Sequence, residues 1–281
     1  RLDPFLGGAI AVAEAARNLS CTGALPLALT DCLNFGNPEK PEVMGQFEAV
    51  VEGMARACRA LGLAVVSGNV SFYNETEGRG IWPTPIVGMV GLLEEAELYS
   101  TQWFKRPGDL IALLGPLFEE DGEGLRGGEY PALFWAVEGG LAPRLDLSLE
   151  GRVQALTREA IASHLLHSAH DCSEGGLALA LAEACITGPF APLGAEIKLP
   201  PEGPRSDLLL FSEAQSRVIV SLSPKNLSRL EQLSQEMRVP FLLLGKVTAG
   251  HFRIEREGEL LTELSPERLL SAWRGALEGI I

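Results

Sequence analysis

Val65-Val66-Ser67-Gly68-Asn69-Val70-Ser71 is the stretch on which the reading of the chain turns. Two β-branched residues run into Ser, Gly and Asn, the composition of a strand that ends in a small polar turn. The pattern predicts a buried strand from Leu63 to Val70. A second apolar run, Leu25-Pro26-Leu27-Ala28-Leu29-Thr30, ends in Asp31. Two strand ends then supply a carboxylate, a carboxamide, a hydroxyl and a bare glycine backbone. Glycine permits close backbone approach, and Mg takes oxygen donors while sharing substrate phosphates. The four groups are a candidate corner for a metal-bound phosphate. Two ordinary strand-to-loop exits give the same pattern, so the spacing leaves both readings open.

Working outward, Ala9, Ile10, Ala13, Ala16 and Arg17 recur at helical spacing. They predict a helix from Gly7 to Leu19 that Asp3-Pro4 starts and Gly23 stops. Phe47, Val50, Val51, Met54, Ala55, Cys58 and Leu61 form a second stripe, a helix over 43–61 capped by Gly62. Ser71 to Gly80 reads as a loop, and Thr84 to Leu93 as another strand. The order helix, strand, helix, strand, loop, strand is an α+β unit, with right-handed crossovers expected between parallel strands.

A boundary is expected near Tyr99 to Lys105, dividing the chain into 1–100 and 101–281. Beyond it, Asp109 to Gly115, Ala195 to Leu199, Val218 to Leu222, Phe241 to Val247 and His251 to Ile254 read as strands. Helices are expected over Ser148 to Ser168, up to Cys185, over Pro224 to Met237 and over Pro266 to Leu277, the last two with Pro in the first turn. Residues 117–130 are acidic and glycine-rich with Arg126 as the one cation, and read as a surface loop. His164, His167 and His170 fall near the end of the 148–168 helix, where a helix C-terminus suits imidazolium. A three-His metal site there requires the helix to break. In His170-Asp171-Cys172-Ser173-Glu174-Gly175-Gly176-Leu177, Asp171 or Ser173 is a candidate N-cap, and the exposed amides a candidate anion site. A Cys172–His170 nucleophile pair lacks an evident orienting third group.

The chain has 281 residues, 46% of them hydrophobic, and a formal net charge of -14. That charge argues against nucleic acid and anionic membranes as partners, but leaves room for a small phosphorylated substrate neutralised by Mg. No run of about 18 uncharged apolar residues suggests a membrane span, and no signal peptide is evident. The five cysteines are widely spaced and never CxxC, which reads as reduced cytosolic thiols. The chain starts at Arg1, and is expected to be a fragment or processed product.

Several stretches coincide with one family. Asp31-Cys32-Leu33-Asn34-Phe35-Gly36-Asn37-Pro38-Glu39-Lys40-Pro41, Gly68-Asn69-Val70-Ser71-Phe72-Tyr73-Asn74-Glu75 and Pro83-Thr84-Pro85-Ile86-Val87-Gly88-Met89-Val90-Gly91 resemble the second half of the synthetase subunit of phosphoribosylformylglycinamidine synthases. The stretch from His170 to Leu177 resembles the wider superfamily that includes aminoimidazole ribonucleotide synthetase. The resemblance implies an α+β chain in which a ferredoxin-like N-terminal domain pairs with a counterpart to build a central β-barrel. A mixed α/β C-terminal domain follows.

The same resemblance implies an ATP-dependent ligase of de novo purine biosynthesis, acting on formylglycinamide ribonucleotide with ammonia derived from glutamine. It implies ATP contacts at Asp31 and Gly68, a Mg ligand at Asn69 and a ribonucleotide contact at Ser71. No catalytic residue is carried over, because the family's catalytic histidines lie in the first copy. Glu213-Ala214-Gln215 and Asp171 match a second, pseudo-symmetric site. The implied partners are the N-terminal half of the same subunit, a glutaminase subunit and a small accessory subunit, in the cytoplasm. A single-copy synthetase active by itself, and a half that only supports assembly, are the competing readings.

Overall fold

The computed structural model describes residues 2–118, 127–137 and 139–276, which form a mixed α/β structure around two main sheets. Helix α1 (Pro4–Thr22) starts where Asp3 accepts a hydrogen bond from Leu6 N at 2.9 Å and ends at Gly23, which adopts a left-handed φ of 95°. Strand β1 (Leu25–Asn34) leads to α2 (Pro41–Leu61), and Gly62 turns the chain into β2 (Ala64–Ser71). A small hairpin, β3 (Glu75–Thr76) and β4 (Arg79–Gly80), precedes β5 (Thr84–Leu92). The sheet order is β2-β1-β5, with β1 parallel to β2 and antiparallel to β5.

Both helices cover one face of this sheet. Ala9, Val12 and Ala16 of α1 and Val50, Met54, Ala57 and Cys58 of α2 pack on Leu29, Leu33 and Phe35. The helices cross closely because Gly8 and Gly53 lack side chains. A Cβ on Gly53 would run into the Phe5 carbonyl, and one on Gly8 into that of Val50. Among the described residues the other face is left bare: Ile86 is 54% exposed and Val90 62%. The expectation of a buried β2 is corrected: apolar composition marked the strand, but it is the sheet's edge strand, and Ala64 to Val70 are exposed on both of its faces.

The second sheet has seven strands in the order β12-β11-β8-β10-β6-β9-β7. They are β6 (Leu110–Leu114), β7 (Leu166–Asp171), β8 (Gly194–Leu199), β9 (Val218–Leu222), β10 (Phe241–Thr248), β11 (Phe252–Arg256) and β12 (Glu259–Leu264). Strands β6 and β9 within it are almost wholly buried on both sides. Ile111, Leu113 and Ile219 face a core with α5 (Gly176–Ile186), while Ala112, Leu114, Val218 and Val220 face one with α4 (Leu147–Ala162) and α7 (Leu227–Glu236). Short helices α3 (Glu129–Trp135) and α6 (Ser206–Phe211), a 3-10 turn at Pro224–Asn226, and α8 (Pro266–Gly275) complete the described elements.

Several expectations change. The helix expected over 148–168 stops at Ala162, because His164 takes a left-handed φ of 53°. His167 and His170 lie on β7, paired with β9, and not at a helix end. Pairing with β9 overrides the helical spacing of these small polar residues. Strand β12 alternates Glu and Thr with Leu at the sheet edge, and α3 follows the acidic glycine-rich segment; neither was anticipated. Most of that segment, residues 119–126, lies outside the described residues, as does Leu277 at the end of the expected closing helix.

The glycine crossing yields a paired test. Gly53→Ala should lower the unfolding free energy by about 1–3 kcal/mol through forced separation of α1 and α2. Gly45→Ala, on the same helix with open space at its Cβ position, should raise it by about 0.5–1 kcal/mol through helix propensity. Urea unfolding midpoints of the two variants check both signs.

Candidate functional site

The β1–β2 ladder places the four candidate residues by register. Asp31 pairs with Gly68, Cys32 with Asn69 and Asn34 with Ser71. Side chains alternate across a strand, so Asp31 shares the helix-covered face with Leu29 and Leu33. Gly68 is small for a reason: a Cβ there would lie 2.5 Å from Asp31 Oδ1. Partial burial raises the Asp31 pKa above the ordinary carboxylate value. Asn69 and Ser71 point the other way. Ser67 Oγ donates to Thr30 Oγ1 at 2.7 Å, and Asn69 Nδ2 approaches Cys32 Sγ at 3.9 Å, so both rows meet on the bare face.

A single corner holding all four groups is thus corrected. The structure brings Asp31 to Gly68 on one face, and Asn69 alongside Cys32 and Asn34 on the other. Ser71 is held at the strand end by Asn74, whose Nδ2 donates to Ser71 O at 3.0 Å and to Phe35 O at 3.0 Å. Alternation splits neighbours such as Gly68 and Asn69 between faces, which strand-end proximity in sequence does not reveal.

A second concavity of about 660 Å³ lies between the start of α1, the segment around Gly128 and the turn before α5. Glu14, Ser173, Glu174, Glu213 and Gln215 are among its lining residues. Glu213 Oε1 accepts from Gly175 N at 3.1 Å and from Glu129 N at 2.9 Å. Of the amides expected to bind an external anion, that of Gly175 is engaged by the chain's own Glu213 and that of Gly176 by Ser173 O. Burial pushes the Glu213 pKa up despite those two donors. Burial also raises that of Glu14, with Glu174 adding to it. The helix is capped by Gly175 at φ 70° with no side-chain cap, so neither Asp171 nor Ser173 caps it. Ser173 Oγ instead donates to Asp171 Oδ2 at 2.6 Å.

Behind this cleft is a buried charge network that the sequence did not disclose. Arg17 is fully buried, with Nη1 2.8 Å from Glu150 Oε2, Nη2 3.0 Å from Gln215 Oε1 and Nε 3.8 Å from Asp171 Oδ2. Ser216 Oγ and Gln154 Nε2 donate to the two Glu150 oxygens at 2.6 and 2.8 Å. The available signal was Arg17 itself, which stands four residues after Ala13 in an otherwise apolar stripe. Asp171, matched in sequence to the pseudo-symmetric site, belongs to this network behind the cleft.

His167, His170 and Cys172 are engaged or covered. His167 Nδ1 lies 2.7 Å from Asp109, and His170 Nε2 2.9 Å from Glu183. Cys172 is fully buried, which pushes its thiol up to about 11. A Cys172–His170 nucleophile pair is not assembled.

Two family models match the chain: AIR synthase related protein, N-terminal domain, over residues 1–93, and AIR synthase related protein, C-terminal domain, over residues 106–256. The chain belongs to the AIR synthase related protein family. Within the family, a Moorella thermoacetica relative named phosphoribosylformylglycinamidine synthase subunit PurL is 51% identical over 277 residues, 98% of this chain and 37% of the relative. This family member therefore spans little more than a third of that relative's length. A solved structure of T. maritima PurL complexed with FGAR has the same fold, with a TM-score of 0.78 and 21% identity over 96% of this chain and 43% of that one. T. maritima PurL complexed with ATP superposes with a TM-score of 0.71 at 21% identity, covering 95% of this chain and 41% of that one.

Two measurements probe the network. Glu150→Gln leaves Arg17 buried without its nearest counter-charge and should cost about 3–5 kcal/mol in denaturant unfolding, whereas the Arg17→Met/Glu150→Met pair should cost much less. His170 supplies a pH test. Burial opposes its charge, but hydrogen bonds to Asp171 and Glu183 outweigh burial and lift its pKa from 6.5 to about 9. A folded-state pKa above the unfolded one gives stability that is whole below pH 6.5 and is lost as the pH rises through about 9. The unfolding free energy should fall across that window, and His170→Gln should flatten the fall.

Proposed function

We propose that this chain is the second half of the synthetase subunit of a phosphoribosylformylglycinamidine synthase. That enzyme is an ATP-dependent ligase of de novo purine biosynthesis. It converts formylglycinamide ribonucleotide, glutamine-derived ammonia and ATP to formylglycinamidine ribonucleotide, ADP and phosphate. The observation that carries the reading is the 51% identity to the Moorella thermoacetica PurL along 98% of this chain.

In this reading Asp31 and Gly68 contact ATP, Asn69 provides a metal ligand and Ser71 contacts the ribonucleotide. Gly68 and Asn69 are sequence neighbours with Cα atoms about 3.8 Å apart across a trans peptide. A phosphate at the Gly68 backbone then lies within reach of a cation on the Asn69 oxygen. The donor set fits Mg only when the nucleotide completes it. No cluster of three or more His, Cys, Asp and Glu residues among the described residues could hold an ion, while Asn69 adds one exposed oxygen donor to phosphates and waters. When bound, Mg neutralises phosphate charge that a chain of net charge -14 would otherwise repel.

The chain supplies no catalytic acid or base in this reading, and its four histidines stay outside the chemistry. Residues 1–100 are the ATP-site domain, ferredoxin-like and closing a central β-barrel with its counterpart in the N-terminal half. Residues 101–281 form the flanking domain. The bare sheet face and the free edge of β2 suit such pairing. The glutaminase and small accessory subunits complete a cytoplasmic complex. Among the described residues, no helix is long and apolar enough to cross a membrane.

Asn69→Ala in the full-length protein tests the assignment. Removing a ligand that steadies transition-state charge should lower Mg-ATP-dependent turnover by roughly a hundredfold or more. The melting temperature should stay close to that of the parent, since Asn69 is exposed. Unchanged turnover would overturn the role given to Asn69.

A further inference from the structure

Cys32 sits on the bare face of β1 between two carboxamides. Asn34 Nδ2 approaches its Sγ at 3.6 Å and Asn69 Nδ2 at 3.9 Å. Asn69 is its register partner on β2. The other four cysteines are buried, and Cys32 alone is partly open.

An amide side chain has a nitrogen end that donates and an oxygen end that accepts, and its last torsion is broad and nearly two-fold. An exposed asparagine therefore presents either end to a ligand unless a neighbour chooses. A metal ion requires the oxygen. Thiol sulfur is a weak acceptor, and here it faces the nitrogen of Asn69, which turns the oxygen away from β1. Asn34 is fixed independently, since its Nδ2 also donates to Cys32 O at 3.3 Å. The Asn69 side chain thus makes its polar contact with the sulfur.

We propose that Cys32 is a positioning residue, whose sulfur holds the nitrogen end of Asn69 and presents the carboxamide oxygen to the nucleotide-bound cation. The inference rests on the assignment of Asn69 as a Mg ligand. Alanine at position 32 keeps the strand but frees the amide to turn. Serine retains an acceptor on a shorter arm, which Asn69 reaches only by moving closer.

The test uses the full-length protein with two readouts. The first is the Mg concentration giving half-maximal turnover at saturating ATP. Cys32→Ala should raise it roughly three- to tenfold, the worth of one modest hydrogen bond, with little change in kcat. Cys32→Ser should recover most of that loss. The second readout is the rate at which iodoacetamide alkylates the Cys32 peptide of the unaltered protein, followed by mass spectrometry. Mg with ATP should slow it several-fold more than ATP with EDTA. If Cys32→Ala matches the parent in Mg dependence while Asn69→Ala does not, the positioning role is overturned. If Asn69→Ala also matches the parent, the metal assignment itself has failed. A loss of kcat and melting temperature shared by Cys32→Ser would mark a packing role and overturn the proposal. So would a Cys32 alkylation rate indifferent to Mg.

Discussion

A buried arginine in the first helix is the constraint around which the two sheets are arranged. Arg17 has no exposed surface, yet it remains charged. Burial opposes its charge, and the carboxylates of Glu150 and Asp171 outweigh that cost. A guanidinium removed from water is tolerable only with excellent geometry and satisfied neighbours. Toward that demand α4 brings Glu150 and Gln154, β7 brings Asp171, and the turn before β9 brings Gln215 and Ser216, while Arg17 Nε is left without a hydrogen bond. These contacts join residues up to 198 positions apart in sequence. The same contacts fix where the cleft beside Glu213 lies, because Gln215 lines that cleft and also accepts from Arg17.

That arrangement explains why the large sheet is insulated while the small one is not. The seven-stranded sheet has helices against both faces, and its strands β6 and β9 are mostly apolar runs, as strands buried on two sides tend to be. The three-stranded sheet has α1 and α2 against one face only. Its other face mixes exposed Ile86 and Val90 with the polar row Thr30, Ser67, Cys32 and Asn69. Apolar residues left beside hydrogen-bonding groups on a free sheet face are the composition of a surface made to be covered.

Much of this was legible in the sequence because local rules and tertiary structure agree. Asp3, Gly23 and Gly62 end helices as their side chains or backbones dictate, and the stripes of α1 and α2 follow helical spacing. The continuous apolar runs of β6 and β9 marked core strands. The reading failed where tertiary pairing overrode local pattern. His164 breaks α4 through a left-handed backbone that histidine adopts uncommonly, and β7 then forms from small polar residues because β9 supplies its ladder. The composition of β2 spoke of burial, but burial depends on what lies opposite, and a sequence does not state what its outer layer is.

The candidate site shows the same limit at the scale of single side chains. Asp31, Gly68, Asn69 and Ser71 were found together because strand ends collect functional groups, and the family resemblance sharpened their roles. Neither source revealed that strand alternation sends Asp31 to one face and Asn69 to the other. Once the register is known, Gly68 ceases to be a generic flexible residue. A side chain there would meet Asp31 Oδ1 at 2.5 Å and displace the carboxylate. Asn69, next along the strand, is correspondingly free of the helices and turned to the bare face. The glycine leaves room for the Asp31 carboxylate, and its position on the ladder accounts for the direction of the asparagine. The site is built from a pairing register, and a shift of one residue between β1 and β2 would present Val70 where Asn69 now stands.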